Sequence, residues 1–483
     1  MVSYYSTNSR DGERVSFEKA LLIGLAPDYG LYMIDKEEIP KFSEEELSQM
    51  KGKKYSEIAY QVLSKFLASE IPEQDLKSLL DDAYSEEMIP TEVQKISDTI
   101  NIMWLTQGPT YSFKDYAARF FGRTLNYFLG KRGLRRVVVV ATSGDTGGAV
   151  ADALHGLESV DNIVFFPKGS ISEGQRKQMT TLKENIYAFE VNGDFDVCQS
   201  LAKNLLGDKE FAKEVFDDSK RLTSANSISI GRLLPQAVYP FYAYSKVGGE
   251  FVASVPSGNF GDMMGTVVAK EMGLPVKKII CGVNENREFP DFLEKGEYVV
   301  NPSVKSPSSA MIVSHPSNLA RLIDFYGGHM YDERDPKTKK VTKPGMIDKM
   351  PDIDKMKEDI FSMSIDNETH YLAIKEAYEQ YKIVLDPHGA VGWKALEIYH
   401  SKSGENAKDV GVIYETADPG KFPVDVEKAI AIIPDVPKRM LEQRDSEERI
   451  YSIENAPDET KQGLKLSDSQ IVEAKQKIKE LFA

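Results

Sequence analysis

The sequence predicts an α/β protein built on parallel sheets. From about Val137 onward, short β-branched runs alternate with stretches of helical period, and two of the runs end in glycine-rich turns that open a helix. Runs that are apolar at nearly every position fit strands buried on both faces, as helix-covered parallel sheets require.

Taken in order, residues 1–98 are expected to form an amino-terminal module. Amphipathic helical patterns there, such as 56–67, alternate with proline breaks at Pro27, Pro40, Pro72 and Pro90. Residues 99–434 are expected to form a core of two α/β lobes, with strands over 136–142, 162–167, 186–191, 251–256, 277–283 and 409–415. The stretch 331–351 is dense in lysine, aspartate and proline and reads as an exposed insertion or mobile loop. Residues 435–483 read as charged helices, the last opened by a capping signal at Ser467 ahead of 471–481. No repeat of fixed period is apparent.

Composition bounds the function. A chain of 483 residues is too long for one small core and can enclose a ligand between lobes. The net charge of −15 argues against a nucleic-acid backbone as partner, because phosphate tracking needs clustered lysine and arginine. The longest apolar run, around 137–141, falls far short of a bilayer span, and the polar opening MVSYYSTNSRDGERVSF does not resemble a signal or transit peptide. A cytoplasmic location without membrane contact is therefore expected. Cys198 and Cys281 form neither a disulfide framework nor a metal-ligand spacing, and the six histidines show no HExxH, so no metal is expected.

Lys114 lies in QGPTYSFKD, residues 107–115. Taken alone it would be the charged first-turn residue of an amphipathic helix. An amine that attacks an aldehyde, however, needs apolar neighbours and a cationic or dipolar influence to lower its pKa, and Phe113, Tyr111 and Tyr116 could shelter it. Two turns strengthen that reading. After the run VVVVAT come Ser143, Gly144, Asp145, Thr146, Gly147 and Gly148; after the run 251–256 come Ser257, Gly258, Asn259, Phe260 and Gly261. Glycine permits a tight turn and close approach of a ligand, and the free N–H groups at a helix start favour an anion. Neither turn is GxGxxG or GxxxxGK[ST], so a dinucleotide or Walker site is not indicated. Two anion sites beside an activated lysine fit pyridoxal phosphate, whose aldehyde makes a Schiff base and whose phosphate needs a helix start, with an anionic substrate group at the other turn.

The motifs QGPTYSFKD, ATSGDTG, ANSISIGR, VPSGNFGD, SHPSNLARL and ETADPGKFP, with the opening YYSTNS, occur in the order found in threonine synthases. The resemblance runs from about Ser3 to about Val426 and is to the longer subgroup shared by bacteria and fungi. It implies pyridoxal-phosphate fold type II, similar to the tryptophan synthase β chain. It also implies the conversion of O-phospho-L-homoserine and water to L-threonine and phosphate, by a monomer or homodimer acting on a small phosphorylated amino acid. Lys114 would be the Schiff-base lysine, Gly258, Asn259, Phe260 and Gly261 the cradle of the cofactor phosphate, and Thr416 the partner of the pyridine nitrogen. Asp145, which alone could be a helix N-cap, would lie near the ring hydroxyl. Ser143 and Thr146 would hold the substrate carboxylate. Asn226, Ser227 and Arg232 would grip its phosphate, although without the resemblance Arg232 reads as a surface or salt-bridged arginine. Asn318 and Arg321 match a family motif with no chemical role assigned. Two departures stand out: Gln107 replaces the usual histidine before GPT, and Asp418 and Gly420 replace histidine and alanine around the proline. The alternatives are a related phospho-lyase or β-replacement enzyme acting on phosphohomoserine or O-phosphoserine, and a non-catalytic sensor of a phosphorylated amino acid.

Overall fold

The computed structural model describes residues 2–142, 144–218, 221–337, 339–460 and 463–482. By its contacts the chain divides into two units. The first gathers residues up to Leu21, Leu25–Ala117 and Ser227–Asp435; the second gathers Leu22–Gly24, Ala118–Asn226 and the residues from Val436 onward. The sequence-based division into 1–98, 99–434 and 435–483 followed chain order, whereas the units interleave, because strand pairing joins segments far apart in sequence.

The first unit is built on a six-stranded sheet in the order Ile360–Ser364, Val276–Val283, Phe251–Pro256, Gly411–Glu415, Ile100–Trp104, Glu92–Lys95. All neighbours are parallel except the last pair. Ile413 lies opposite Ile102 on one side and Ser254 on the other. The helix Pro387–Ser401 lies against this sheet, and its Trp393 and Leu396 share a buried cluster with Ile102, Val252, Ile280 and Ile413. Each such side chain contributes roughly 1.5–3 kcal/mol by leaving water. The helix begins where it does for a local reason. Asp386 accepts the N–H groups of His388 and Gly389, and Pro387 takes the first position, where no N–H is needed.

The second unit carries a five-stranded, all-parallel sheet in the order Ile450–Ile453, Ile186–Val191, Val160–Pro167, Arg136–Ala141, Leu222–Ser224. Val139, Ile163, Phe165, Phe189 and Val191 form its core with Val197 and Leu201 of the helix Phe195–Gly207 and with Ile453, Ala474 and Ile478.

Two expectations are corrected. The stretch 331–351 is exposed but forms an antiparallel hairpin with register shifts, His329–Arg334 against Val341–Lys349. The carboxy-terminal segment is not purely helical: between the helices Lys438–Arg444 and Asp468–Phe482 it contributes the strand Ile450–Ile453, whose four residues are masked in sequence by the charges around them. The capping signal at Ser467 is present, with Ser467 Oγ accepting from Gln470 N and Gln470 Oε1 from Ser467 N. Both cysteines are buried and free. Among the described residues no helix is long and apolar enough to cross a membrane.

Candidate active site

In the first unit, three adjacent parallel strands deliver three motifs to one edge of the sheet. Phe251–Pro256 ends at the turn 257–261, Gly411–Glu415 ends at Thr416, and Ile100–Trp104 leads into 105–113. Ligands of open α/β sheets collect at this carboxyl edge. The last two segments are then tied together: Phe113 N donates to Thr416 O at 2.9 Å, Asp418 N donates to Tyr111 O at 3.1 Å, and Ser112 bridges Ala417. Lys114, half-buried, opens the helix Lys114–Lys131 immediately after this splice, with Nζ 4.8 Å from the Phe113 ring centroid. Asp115 accepts the backbone N–H and the hydroxyl of Thr110 at 2.8 and 2.6 Å, folding the 107–110 turn back onto the helix start.

The turn 257–261 is crowded from behind. A Cβ on Gly258 would lie 2.9 Å from Ala310 O and 3.1 Å from the Met311 Cα, so glycine is required for backbone approach at that point. Phe260 sits in the left-handed region at φ 61° and its ring is buried against Phe289, 4.9 Å between centroids. The helix Gly261–Glu271 follows. A turn that leads through a left-handed residue into a helix start presents successive N–H groups to one side, a concavity suited to an anion. Arg232, 4 % exposed, belongs to this unit with Ser227. Burial draws its guanidinium down to about 10, with neighbouring Tyr239 and Asp115 opposing, and it stays cationic at neutral pH.

Three acidic groups here carried no signal that singled them out in the sequence. Asp262, fully buried in the first turn after 257–261, is pushed up to about 6 by burial, with the Lys114 charge opposing. An acid there reads as an ordinary partner of the helix dipole. Glu415 and Asp386 form a buried pair: Asp386 N donates to Glu415 Oε1 at 2.8 Å, and burial together with the Asp386 charge raises the Glu415 carboxyl well above the usual carboxylate range. The His388 ring bonds Asp386 through Nδ1, and its Nε2 accepts the Ala310 N–H at 3.1 Å, so it braces the backbone behind Gly258. The sequence DPHG offered only an acid and a proline at a helix start. Asp418 is half-buried, accepts the Gly420 N–H at 2.8 Å and caps its own turn.

The second unit holds the other turn. Arg136–Ala141 and Leu222–Ser224 are parallel neighbours, so the turn at 142–147 and the segment at 225–226 leave the same sheet edge. Thr142 Oγ1 accepts from Gly144 N and Gly147 N at 3.0 and 2.9 Å, and Gly144, at φ 141°, takes a conformation closed to other residues. Asp145 is buried and accepts from Gln175 Nε2 at 3.0 Å; Thr146 is half-buried; Asn226 is exposed. Ser143 lies outside the described residues. The first unit therefore gathers Lys114, Gly258 to Gly261, Thr416, Ser227 and Arg232, and the second holds Asp145, Thr146 and Asn226.

The Asp262 shift has a measurable consequence. The folded protein prefers the neutral carboxyl, so ionisation costs stability. That cost is small at about pH 4, grows as pH rises to about 6, and is complete above. Asp262→Asn, which preserves an acceptor for Met263 N, is expected to raise the melting temperature at pH 8 by the equivalent of up to about 3 kcal/mol and to change it little at pH 4. An equal effect at both pH values would show that the carboxyl is not the cause.

Comparison with known proteins agrees along the chain. Residues 3–84 match the family model of the threonine synthase N terminus, 103–343 that of pyridoxal-phosphate dependent enzymes, and 389–463 that of the threonine synthase C-terminal region. A threonine synthase of Pseudomonas aeruginosa is 34% identical over 468 residues, covering 94% of this chain and 96% of that one. The crystal structure of a PLP-bound threonine synthase from Brucella melitensis superposes with a TM-score of 0.86 at 28% identity, covering 99% of both chains. The structure of the yeast threonine synthase gives 0.86 at 29% identity, covering 100% of this chain and 99% of that chain.

Proposed function

We propose residue roles on the premise that this chain belongs to the threonine synthase family, pyridoxal-phosphate-dependent lyases that turn O-phospho-L-homoserine and water into L-threonine and phosphate. The observation that supports them most is the splice of 111–113 to 416–418, next to the strand that ends at the glycine turn. It sets a lysine, a hydroxyl and an anion cradle at one sheet edge. The residues fit the cofactor: Gly258 leaves room where a Cβ would strike backbone, and Lys114 offers an amine beside an aromatic ring.

When bound, pyridoxal phosphate supplies an electron sink for negative charge at the substrate's α-carbon. Lys114 is the covalent anchor of the cofactor. With substrate in place, the free Lys114 amine would take the α-proton and carry protons in later steps. The N–H groups of Gly258, Asn259, Phe260 and Gly261 bind the cofactor phosphate. The Thr416 hydroxyl would hold the pyridine nitrogen; being neutral, it would not require that nitrogen to be protonated. Asp262 is the counter-charge when Lys114 is an ammonium. Arg232 and Ser227, with Asn226, bind the substrate phosphate, for which a planar guanidinium fork is suited. On the family pattern, Asp145 faces the ring hydroxyl, and Ser143 and Thr146 take the substrate carboxylate. A cytoplasmic location belongs to the same reading, since two buried free thiols fit a reducing compartment.

Phosphorus and proton NMR of the protein with pyridoxal phosphate and O-phosphohomoserine tests the reaction. Threonine and phosphate in equal amounts are expected; phosphate with a keto acid would reject threonine synthesis in favour of a phospho-lyase.

A further inference from the structure

Arg321 is fully buried in the helix Leu319–Phe325, yet none of the described carboxylates pairs with it. Burial draws its guanidinium down to about 9, which still leaves it cationic at neutral pH. A buried charge without a counter-ion is costly and persists only where its hydrogen bonds and surroundings offset it. All three of its partners are neutral acceptors. Nε donates to Tyr32 O at 3.0 Å, Nη1 to Asn318 Oδ1 at 2.6 Å and Nη2 to Ile228 O at 2.6 Å. Asn318, fixed in this way, donates through Nδ2 to Asn259 O at 2.9 Å and reaches Ser227 O at 3.5 Å, while its own N–H also meets Asn259 O at 3.2 Å. Ser317 adds its N–H and hydroxyl to Asn259 Oδ1 at 3.3 and 3.2 Å.

The carbonyls tied to this node belong to both phosphate-binding segments. In a trans peptide the C=O and the following N–H point in opposite directions. Holding the carbonyls of Asn259, Ser227 and Ile228 toward Arg321 and Asn318 turns the N–H groups of Phe260, Ile228 and Ser229 the other way.

We propose that Arg321, acting through Asn318, is a positioning residue that sets the peptide planes of the cofactor-phosphate cradle and of the substrate-phosphate segment together, its unpaired buried charge being complementary to the two bound phosphates. The inference rests on the reading of 258–261 as the cofactor-phosphate cradle and of 227–232 as the substrate-phosphate segment. It couples the two sites: one side chain tunes both affinities for phosphate, and neither phosphate need touch it.

The test compares wild type with Arg321→Met, which keeps bulk but loses charge and donors, and with Arg321→Lys, which keeps charge but loses the fork. Three affinities are read by titration: pyridoxal phosphate on the apoprotein, pyridoxal without phosphate on the apoprotein, and inorganic phosphate as an inhibitor of the holoenzyme. For Arg321→Met, pyridoxal phosphate and inorganic phosphate are expected to weaken at least tenfold and KM for O-phosphohomoserine to rise by a similar factor. Pyridoxal binding, and kcat with both sites saturated, are expected to stay within threefold. Arg321→Lys should recover part of each loss. Equal weakening of pyridoxal and pyridoxal phosphate, or a fall in melting temperature with unchanged phosphate affinities, overturns the proposal. If the methionine variant does not fold, the lysine variant decides: at least threefold weaker pyridoxal phosphate with unchanged pyridoxal supports the role, and no change overturns it. Gly258→Ala tests the premise separately, since unchanged affinity for pyridoxal phosphate there would remove the cradle reading itself.

Discussion

Lys114→Ala is expected to lower turnover by about a thousandfold or more, the scale for losing a group that serves as both covalent anchor and proton carrier. The expectation follows from the splice that fixes the lysine. Phe113 N and Tyr111 O are bonded to Thr416 O and Asp418 N, and Tyr239 donates its hydroxyl to Phe113 O at 3.2 Å, so the backbone leading into the side chain is held independently of it. Truncation should thus remove the amine without moving the segment. The buried Lys421 is no ready substitute, because its Nζ donates to Thr110 O at 2.8 Å. Stopped assays of threonine release, with the visible absorption of bound pyridoxal phosphate, check this. Retained turnover with an unchanged visible band would show that another amine carries the cofactor.

Arg232→Ala has the second largest effect. Loss of a buried cation that pairs with a doubly charged ligand costs about 2–5 kcal/mol, much of it the penalty of leaving the ligand's charge unpaired. The change should appear as a higher KM for O-phosphohomoserine and weaker inhibition by inorganic phosphate, with a smaller effect on the affinity for pyridoxal phosphate. The local fold should tolerate it. The turn around Arg232 is held through its own backbone, Arg232 N donating to Ser229 O at 2.9 Å and Arg232 O accepting from the Gln236 side-chain Nε2 at 2.8 Å, and truncation leaves both in place. Arg232→Lys retains charge without the fork and should fall between. An unchanged apparent affinity for the phosphorylated substrate would move the phosphate site elsewhere.

The parts of the fold that could be read in advance are those whose signal is local. Ile186–Val191 and Phe251–Pro256 coincide with their apolar runs, and both glycine turns follow strands as their composition implies. Ile450–Ile453 could not be read this way, since IYSI is only four residues long, without alternation, and its strand identity depends on a neighbour, Ile186–Val191, far away in sequence. Glu92–Lys95 is an antiparallel edge strand with mixed polarity and was likewise hidden. The site divides in the same way. Lys114 and the glycine turn 257–261 stand out through turn chemistry. Asp262, the Glu415 and Asp386 pair, and Arg321 derive their character from burial and distant partners, which no spacing encodes.

The strand Ile450–Ile453 also bears on how this protein is made. Its strand partner is Ile186–Val191, yet the ribosome must translate the whole intervening stretch, including the segment of the first unit that lies between Ser227 and Asp435, before it can dock. Until then the outer edge of Ile186–Val191 lacks its native cover, and Phe189 lacks the stacked Tyr451 ring, 5.2 Å away in the finished protein. An uncovered parallel edge is a template for pairing with other nascent chains. The second unit is thus completed only after translation has passed residue 453.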